Sequence, residues 1–460
     1  VPDVTDPSGR WSRRSALGRR LLPPLLATAV FGAMWLLFLL GYRDLYYAIY
    51  LWWGFFPFPD PFMDTAAVLM AIDCHRAGID IWHANPCMNG GWYTYSPFLL
   101  RAASLPLTHD TTLPIGVGFV VLFLLSQLVL PASRDWKEVG IRSVALLSAA
   151  TAFAVERANL DIAIYALAVG GVWLLQRTSL RWVGYGTFVL AALAKFYPAT
   201  LLILAARERT RTAMIVGAIG TMILVLPVIL FAGEMRTALN VTPVGWPFSN
   251  MFGALNIPYG IFVIPALTVT DNLDTQVLRT SLPWQAKALL AALVALTGYI
   301  AGRHLGRDRA ALPALSGTHV AYLVAGAVIV TGCFFAAQNI AYRAIFLLMT
   351  LPGLYLLMAS DRSGPVRYRS LIVAVLFVMW QELPRRLLER LAEDGSFGFG
   401  PYMVFWAIRE LIWWWLVARL ISLLAAFLLD SPALEPLGRL VDRHVPRLRK
   451  PDGAGGSATP

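Results

Sequence analysis

The stretch Leu25–Tyr42, LLATAVFGAMWLLFLLGY, carries no charged residue, and Ala213–Ala232, AMIVGAIGTMILVLPVILFA, repeats the pattern. A helix needs about 20 residues to cross a hydrocarbon core, so both runs read as membrane spans. The rest of the chain agrees. Of its 460 residues 58% are hydrophobic and 14% charged, with a mean hydropathy of +0.62, whereas a soluble domain averages roughly 25% charged residues. A soluble fold of this length has no way to bury so much apolar surface. The expected fold is all-α, a polytopic transmembrane helical bundle with no soluble domain large enough to act alone.

The first run follows Arg10, Arg13, Arg14, Arg19 and Arg20, as the apolar core of a secretory signal would. It is long, however, and no small-residue cleavage pattern follows it, so it reads as a retained first helix. The net charge of +11 would suit a nucleic-acid binder. The arginines instead gather in alternate short segments between apolar runs, which is the positive-inside bias of membrane proteins, and no nucleic-acid partner is expected. Three cysteines make no disulfide framework. Cys74 and Cys87 share one loop, and a bond between them on a non-cytoplasmic face or two free thiols both stay open.

With the basic clusters taken as cytoplasmic, the chain crosses near Leu25–Leu40 and returns near Thr112–Leu130 to Arg134, Lys137 and Arg142. Residues 43–110 then form an external loop, whose Tyr46, Tyr47, Trp52, Trp53, Phe55 and Phe56 suit a membrane interface. The next helix rises to Glu156, Arg157, Asn159 and Asp161 and returns to Arg177; each half is short, so this cluster is expected at membrane depth. Two further half-length helices meet at Lys195-Phe196-Tyr197-Pro198, a break tolerated only where it lines protein or a water-filled cavity. Residues 234–284 form a second external segment. Later crossings pass the Arg303, Arg307 and Arg309 loop, an external corner at Asn339, Tyr342 and Arg343, and the Arg362, Arg367 and Arg369 loop. Glu382–Phe397 reads as an interfacial amphipathic helix, and Tyr402–Leu429 is the last crossing. The total is about twelve spans or half-spans in one membrane domain, 1–429, with 430–460 a basic, flexible cytoplasmic tail.

Ionisable groups at membrane depth are costly, so each is a functional candidate. Asp64 opens an apolar helical stretch near Pro61. It reads either as a general base whose surroundings raise its pKa or as an acid complementing a helix dipole. Lys195 lies between apolar helices, where a phosphate held near the interface needs a cation, although a snorkelling lysine has the same pattern. Arg343, with Asn339 and Tyr342 beside it, has the same two readings. In Glu156-Arg157-Ala158-Asn159-Leu160-Asp161, Glu156 reads as structural, while Arg157 stands between structure and ligand binding. Asp60 reads as a turn or cap residue, with Asp73 and Asp80 as further loop acids. His75 and His83 are eight apart, which is no metal-ligand spacing, and no metal or cofactor is assigned.

Taken in order, these elements resemble glycosyltransferase family 87, polyprenol-phosphate-dependent enzymes of the GT-C fold that include mannosyltransferases. The likeness rests on Asp64 with Ala66-Ala67, the turn Gly78-Ile79-Asp80-Ile81-Trp82, Tyr95-Ser96-Pro97, Glu156-Arg157-Ala158-Asn159 and Lys195-Phe196-Tyr197-Pro198. It covers roughly the first half of the chain in order and the rest loosely. Two departures stand out: the second proline after Tyr95-Ser96-Pro97 is missing, and the turn at Asp80 lacks its usual Pro-Tyr.

The resemblance implies an inverting hexosyl transfer, with mannose as the candidate sugar, from a polyprenyl-phosphate sugar donor to a lipid or glycan acceptor. It places the enzyme among membrane lipids of a bacterial inner membrane, with its site on the non-cytoplasmic side. Asp64 would deprotonate the acceptor, and Lys195, Arg157 and Arg343 would hold the phosphate. Tyr197, Asn159, Tyr95, His75 and Asn339 complete the candidate substrate contacts. The competing readings are a lipid or polysaccharide transporter or flippase, since broken helices with charged residues also mark substrate pathways, and a non-catalytic envelope-assembly protein.

Overall fold

A computed structural model describes residues 9–88, 90–241, 245–264, 282–360, 366–395, 398–435 and 439. Arg362, residues 242–244 and 265–281 of the second external segment, and most of the 430–460 tail lie outside the described residues. Among those described, six helices are long and apolar enough to cross a bilayer, and two pairs of shorter helices, bent by 49° and 54°, raise the count to eight.

The order begins with α1 (Gly9–Leu39), the loop helices α2 (Arg43–Trp53) and α3 (Met63–Arg76), and the return span α4 (Thr112–Ser126). Helices α5 (Trp136–Leu146) and α6 (Ala149–Arg157) form the first bent pair. They are followed by α7 (Leu160–Leu175) and α8 (Arg181–Ala194), apolar but shorter than a full span. The span α9 (Thr210–Leu230) leads into α10 (Ala232–Val241). Helices Trp284–Ala311, Gly317–Ala336, Val366–Trp380 and Gly400–Leu429 complete the bundle.

The apolar composition of each helix does not tell inner from outer, but burial does. The spans at Gly317–Ala336 and Gly400–Leu429 are 67% and 61% buried, against 22%, 17% and 11% for those at α1, α4 and α9. The first two form the protein core, and the others present apolar side chains to lipid.

Three of the breaks wind as 3-10 helix: Pro97–Ser104, Tyr197–Arg207 and Ala341–Met349. Such runs seldom exceed three or four residues. Here two of them begin at the KFYP break and at Tyr342-Arg343, so the tight winding places those polar side chains where elements start.

The loop between α3 and α4 has its own small core of Ala71, Cys74, Ile81, Tyr93 and Leu100. Cys74 is bonded to Cys87, with Cα atoms 6.0 Å apart, which resolves the pairing left open by the sequence. The helix Glu382–Glu393, expected at the interface, docks on α2. Arg385 bonds Glu382 at 2.7 Å and the Gly54 carbonyl at 3.3 Å, while Arg386 and Arg390 cover the Phe56 and Trp52 rings. Gly54 has φ 110°, and a Cβ there would lie 2.3 Å from the Glu382 carbonyl carbon, so only glycine admits this docking.

Two features of the last span differ from the plain crossing expected. Tyr402, Trp406 and Arg409 bond the carbonyls of Phe248, Pro247 and Ser249, drawing part of the second external segment into the bundle. Met251–Phe252 also pairs antiparallel with Asn339–Ile340. In addition, Arg409 pairs with Glu410 at 2.7 Å and Arg419 with Asp308 at 3.2 Å, all four fully buried side chains. Acids therefore lie inside the spans as well as in the external loops, paired as buried charges must be.

Candidate active site

The site forms where the first turn of α3 meets the α6–α7 break. Phe62, the residue before α3, has φ 68°, and Ala158, between α6 and α7, has φ 42°; among the described residues these are the two non-glycine positions with positive φ. Such conformations persist only when their surroundings impose them, and they concentrate at functional sites. Here the Phe62 N–H donates to the Glu156 carbonyl at 2.8 Å, and the Thr65 hydroxyl donates to the Ala158 carbonyl at 2.6 Å. The two strained turns are thus stitched together, and Asp64 lies between them.

Asn159 is the hub. As the N-cap of α7 it accepts the Asp161 N–H at 2.9 Å and the Lys195 ammonium at 3.0 Å on Oδ1. Its amide donates to Asp64 Oδ2 at 2.6 Å and to the Tyr342 hydroxyl at 2.8 Å. Asp161, fully buried, accepts from Lys195 at 2.6 Å, Tyr197 at 2.8 Å and the Arg343 Nε at 2.9 Å. The Lys195 ammonium also stands 5.1 Å from the centre of the Tyr95 ring, and Arg343 covers Tyr197 at 5.0 Å.

Arg157 is held differently. Its guanidinium lies over Phe58 at 4.0 Å and Phe153 at 4.6 Å, with Nη1 3.7 Å from Asp64 Oδ1. Among the described residues it makes no hydrogen bond, and its buried Nε has only the Glu156 Oε2 carboxylate oxygen, at 3.8 Å, as an ionic neighbour. The exposures of Asp64, Arg157, Lys195 and Arg343 lie between 11% and 20%, against 0% for Asp161. Asp161 is therefore a buried base plate, and what can be reached from outside is one carboxylate among three cations. Arg343 gives Asp161 its Nε, and among the described residues its Nη groups make no hydrogen bond.

Seven of the nine residues singled out in the sequence come together here: Asp64, Tyr95, Arg157, Asn159, Lys195, Tyr197 and Arg343. Two do not. His75 is exposed at the far end of α3, eleven residues and about 16 Å of helix rise from Asp64. Asn339 is buried and donates to the carbonyls of Cys333 and Ala337 at 2.5 and 2.7 Å, so it holds a turn and faces no ligand. Asn159, expected as a substrate contact, is itself fully buried with every polar group of its side chain engaged.

Glu156 accepts the Phe58 N–H at 3.0 Å on Oε1, as a structural role requires. Two of the other loop acids, Asp73 and Asp80, are committed elsewhere. Asp73 holds His109 and Arg76. Asp80 pairs with His83 at 2.6 Å, and the Trp82 N–H, then His83, hold its carboxyl below the usual carboxylate range. Tyr342, which completes the hub, was visible in the sequence only as a neighbour of Arg343.

No protein-family profile matches the chain, and none of the curated proteins does. Among solved structures, the crystal structure of ArnT from Cupriavidus metallidurans in the apo state is 12% identical, covering 92% of this chain and 82% of that one with a TM-score of 0.32. A superposition that loose places no residue of this chain against a residue of the other.

Proposed function

We propose that this protein is a membrane glycosyltransferase of GT-C type. In this reading it moves a sugar, mannose by the resemblance noted above, from a polyprenyl-phosphate donor to a hydroxyl of a lipid or glycan acceptor on the non-cytoplasmic face of a bacterial inner membrane. The observation that carries the reading is Arg157, a guanidinium stacked between two rings, with only the long ionic contacts to Asp64 and Glu156 and, among the described residues, no hydrogen bond. A group so placed has a use for an anion, and forked donors suit phosphate.

In the reaction, Asp64 takes the proton of the acceptor hydroxyl. The new C1–O bond forms as the C1–O bond to phosphate breaks, and the electron pair leaves on the phosphate oxygen. Arg157, Lys195 and Arg343 neutralise that charge where little water competes. The stack of Tyr95 against Lys195 gives an apolar wall beside the phosphate and a surface for a sugar ring. Asn159 and Asp161 touch no substrate; they position Asp64 and the two cations.

The breaks at 158–159 and 195–196, both lined by charges, are also what a lipid transporter would have. The test is transfer from radiolabelled polyprenyl-phosphate sugars to membrane lipids by the purified protein in vesicles. Transfer from at least one such donor is expected. Movement of a labelled lipid between leaflets with no transfer from any donor would favour the transporter instead.

A further inference from the structure

Tyr95, Tyr197 and Tyr342 meet at the cluster, and the last two have their hydroxyls engaged. Tyr197 donates to Asp161 at 2.8 Å, and Tyr342, itself buried, accepts the Asn159 amide at 2.8 Å. The Tyr95 hydroxyl makes no hydrogen bond among the described residues, although a tyrosine packed against its neighbours usually finds a partner. Unlike Tyr342, Tyr95 is only half-buried.

The direction of this phenol is fixed. Its ring stands 5.1 Å from the Lys195 ammonium and 5.9 Å from the Tyr93 ring, and Tyr93 is anchored by its own hydroxyl on the Ser96 carbonyl at 2.9 Å. Among titratable groups, Asp64 and then Tyr342 act most strongly on the Tyr95 hydroxyl, and both are tied to the one amide of Asn159. Tyr95 therefore reaches from one of the cations toward the base. In the transfer proposed above the sugar has to lie along the same line, because C1 sits between the acceptor oxygen at Asp64 and the departing phosphate oxygen at the cations. A phosphate oxygen is a poor match for the Tyr95 hydroxyl, since Asp64 repels an anion there. A sugar hydroxyl is neutral and both gives and accepts a hydrogen bond, as a phenol does.

We propose that the Tyr95 hydroxyl reads the donor sugar by bonding the hydroxyl on the carbon next to C1, and so selects hexosyl donors that carry this group over those that lack it. The inference rests on the glycosyltransferase reading and narrows its substrate. Sites built to bond a hydroxyl reject the analogue without it, because their own polar group is then left unpaired.

The test is displacement of a fluorescent polyprenyl phosphate from the purified protein in vesicles by polyprenyl-phosphate mannose, glucose and galactose and by their 2-deoxy counterparts, with sugar transfer followed on the same samples. At least one hexosyl donor should bind about tenfold more tightly than its deoxy counterpart, the worth of one hydrogen bond. Tyr95→Phe keeps the ring against Lys195 and removes one oxygen. The two donors should then bind within about twofold of each other, while polyprenyl phosphate without a sugar binds as it does to the parent. A parent protein that prefers none of the hexosyl donors to its deoxy counterpart would overturn the assignment, as would a Tyr95→Phe protein that keeps the preference. Equal weakening of the sugar-free lipid would also overturn it, by placing the hydroxyl on the phosphate. Because the readout is binding, a preference abolished by Tyr95→Phe with no transfer to any acceptor would sink the enzyme reading alone.

Discussion

Asn159 donates to Asp64 and Tyr342 and accepts from Asp161 and Lys195, so its loss frees the base and one cation together without removing either. Asn159→Ala should therefore lower kcat about tenfold or more while the donor KM stays within about threefold, since geometry and not binding is lost. Arg157→Gln should do the reverse and raise the donor KM about tenfold, the worth of a charge-assisted hydrogen bond. Asp161 belongs to stability: Asp161→Asn leaves Lys195 and Arg343 facing a neutral amide inside the bundle and should cost about 3 kcal/mol, read as a lower Tm in detergent. At this scale much was legible, because a lysine or arginine in an apolar run stands out. His75 and Asn339 are close in sequence to Asp64 and Arg343 but not to the site. Along a helix that closeness fades within two turns, and at a turn the side chain serves the backbone first.

At the scale of elements, the breaks at Glu156–Asp161 and Lys195–Pro198 were readable from half-length apolar runs. The 3-10 winding of Tyr197–Arg207 after the second break was not, since that segment packs against Gly317–Ala336, a contact no local pattern conveys. The partners of Glu382–Glu393 were hidden for a similar reason, since an arginine-rich amphipathic pattern suits a lipid interface and an aromatic protein face equally well. Gly54→Ala should release this helix from α2, raising proteolysis near Arg385–Arg390 with the bundle intact. In the external loop, the Cys74–Cys87 bond closes a segment around Tyr93. Serine at both positions should cost the loop about 2–3 kcal/mol. Alkylation with mass spectrometry should find both thiols protected until reductant is added.

For the whole molecule, composition alone led to an all-α bundle of spans. What no hydropathy pattern conveys is that the charges of three other segments, at Asp64, Lys195 and Arg343, converge on Asn159 and Asp161, because the sequence separations between them run from 34 to 182 residues. The topology predicts that a cysteine at Ala84 is labelled by an impermeant maleimide added outside intact cells and that one at Arg307 is not. The reverse pattern would turn the site toward the cytoplasm. The central claim, that Asp64 takes the acceptor proton beside a bound lipid phosphate, is tested most directly by sugar transfer from a polyprenyl-phosphate donor with Asp64→Asn at equal expression. Transfer should fall about a thousandfold or more, with polyprenyl-phosphate binding retained. An Asp64→Asn protein that transfers sugar at the parent rate would contradict it.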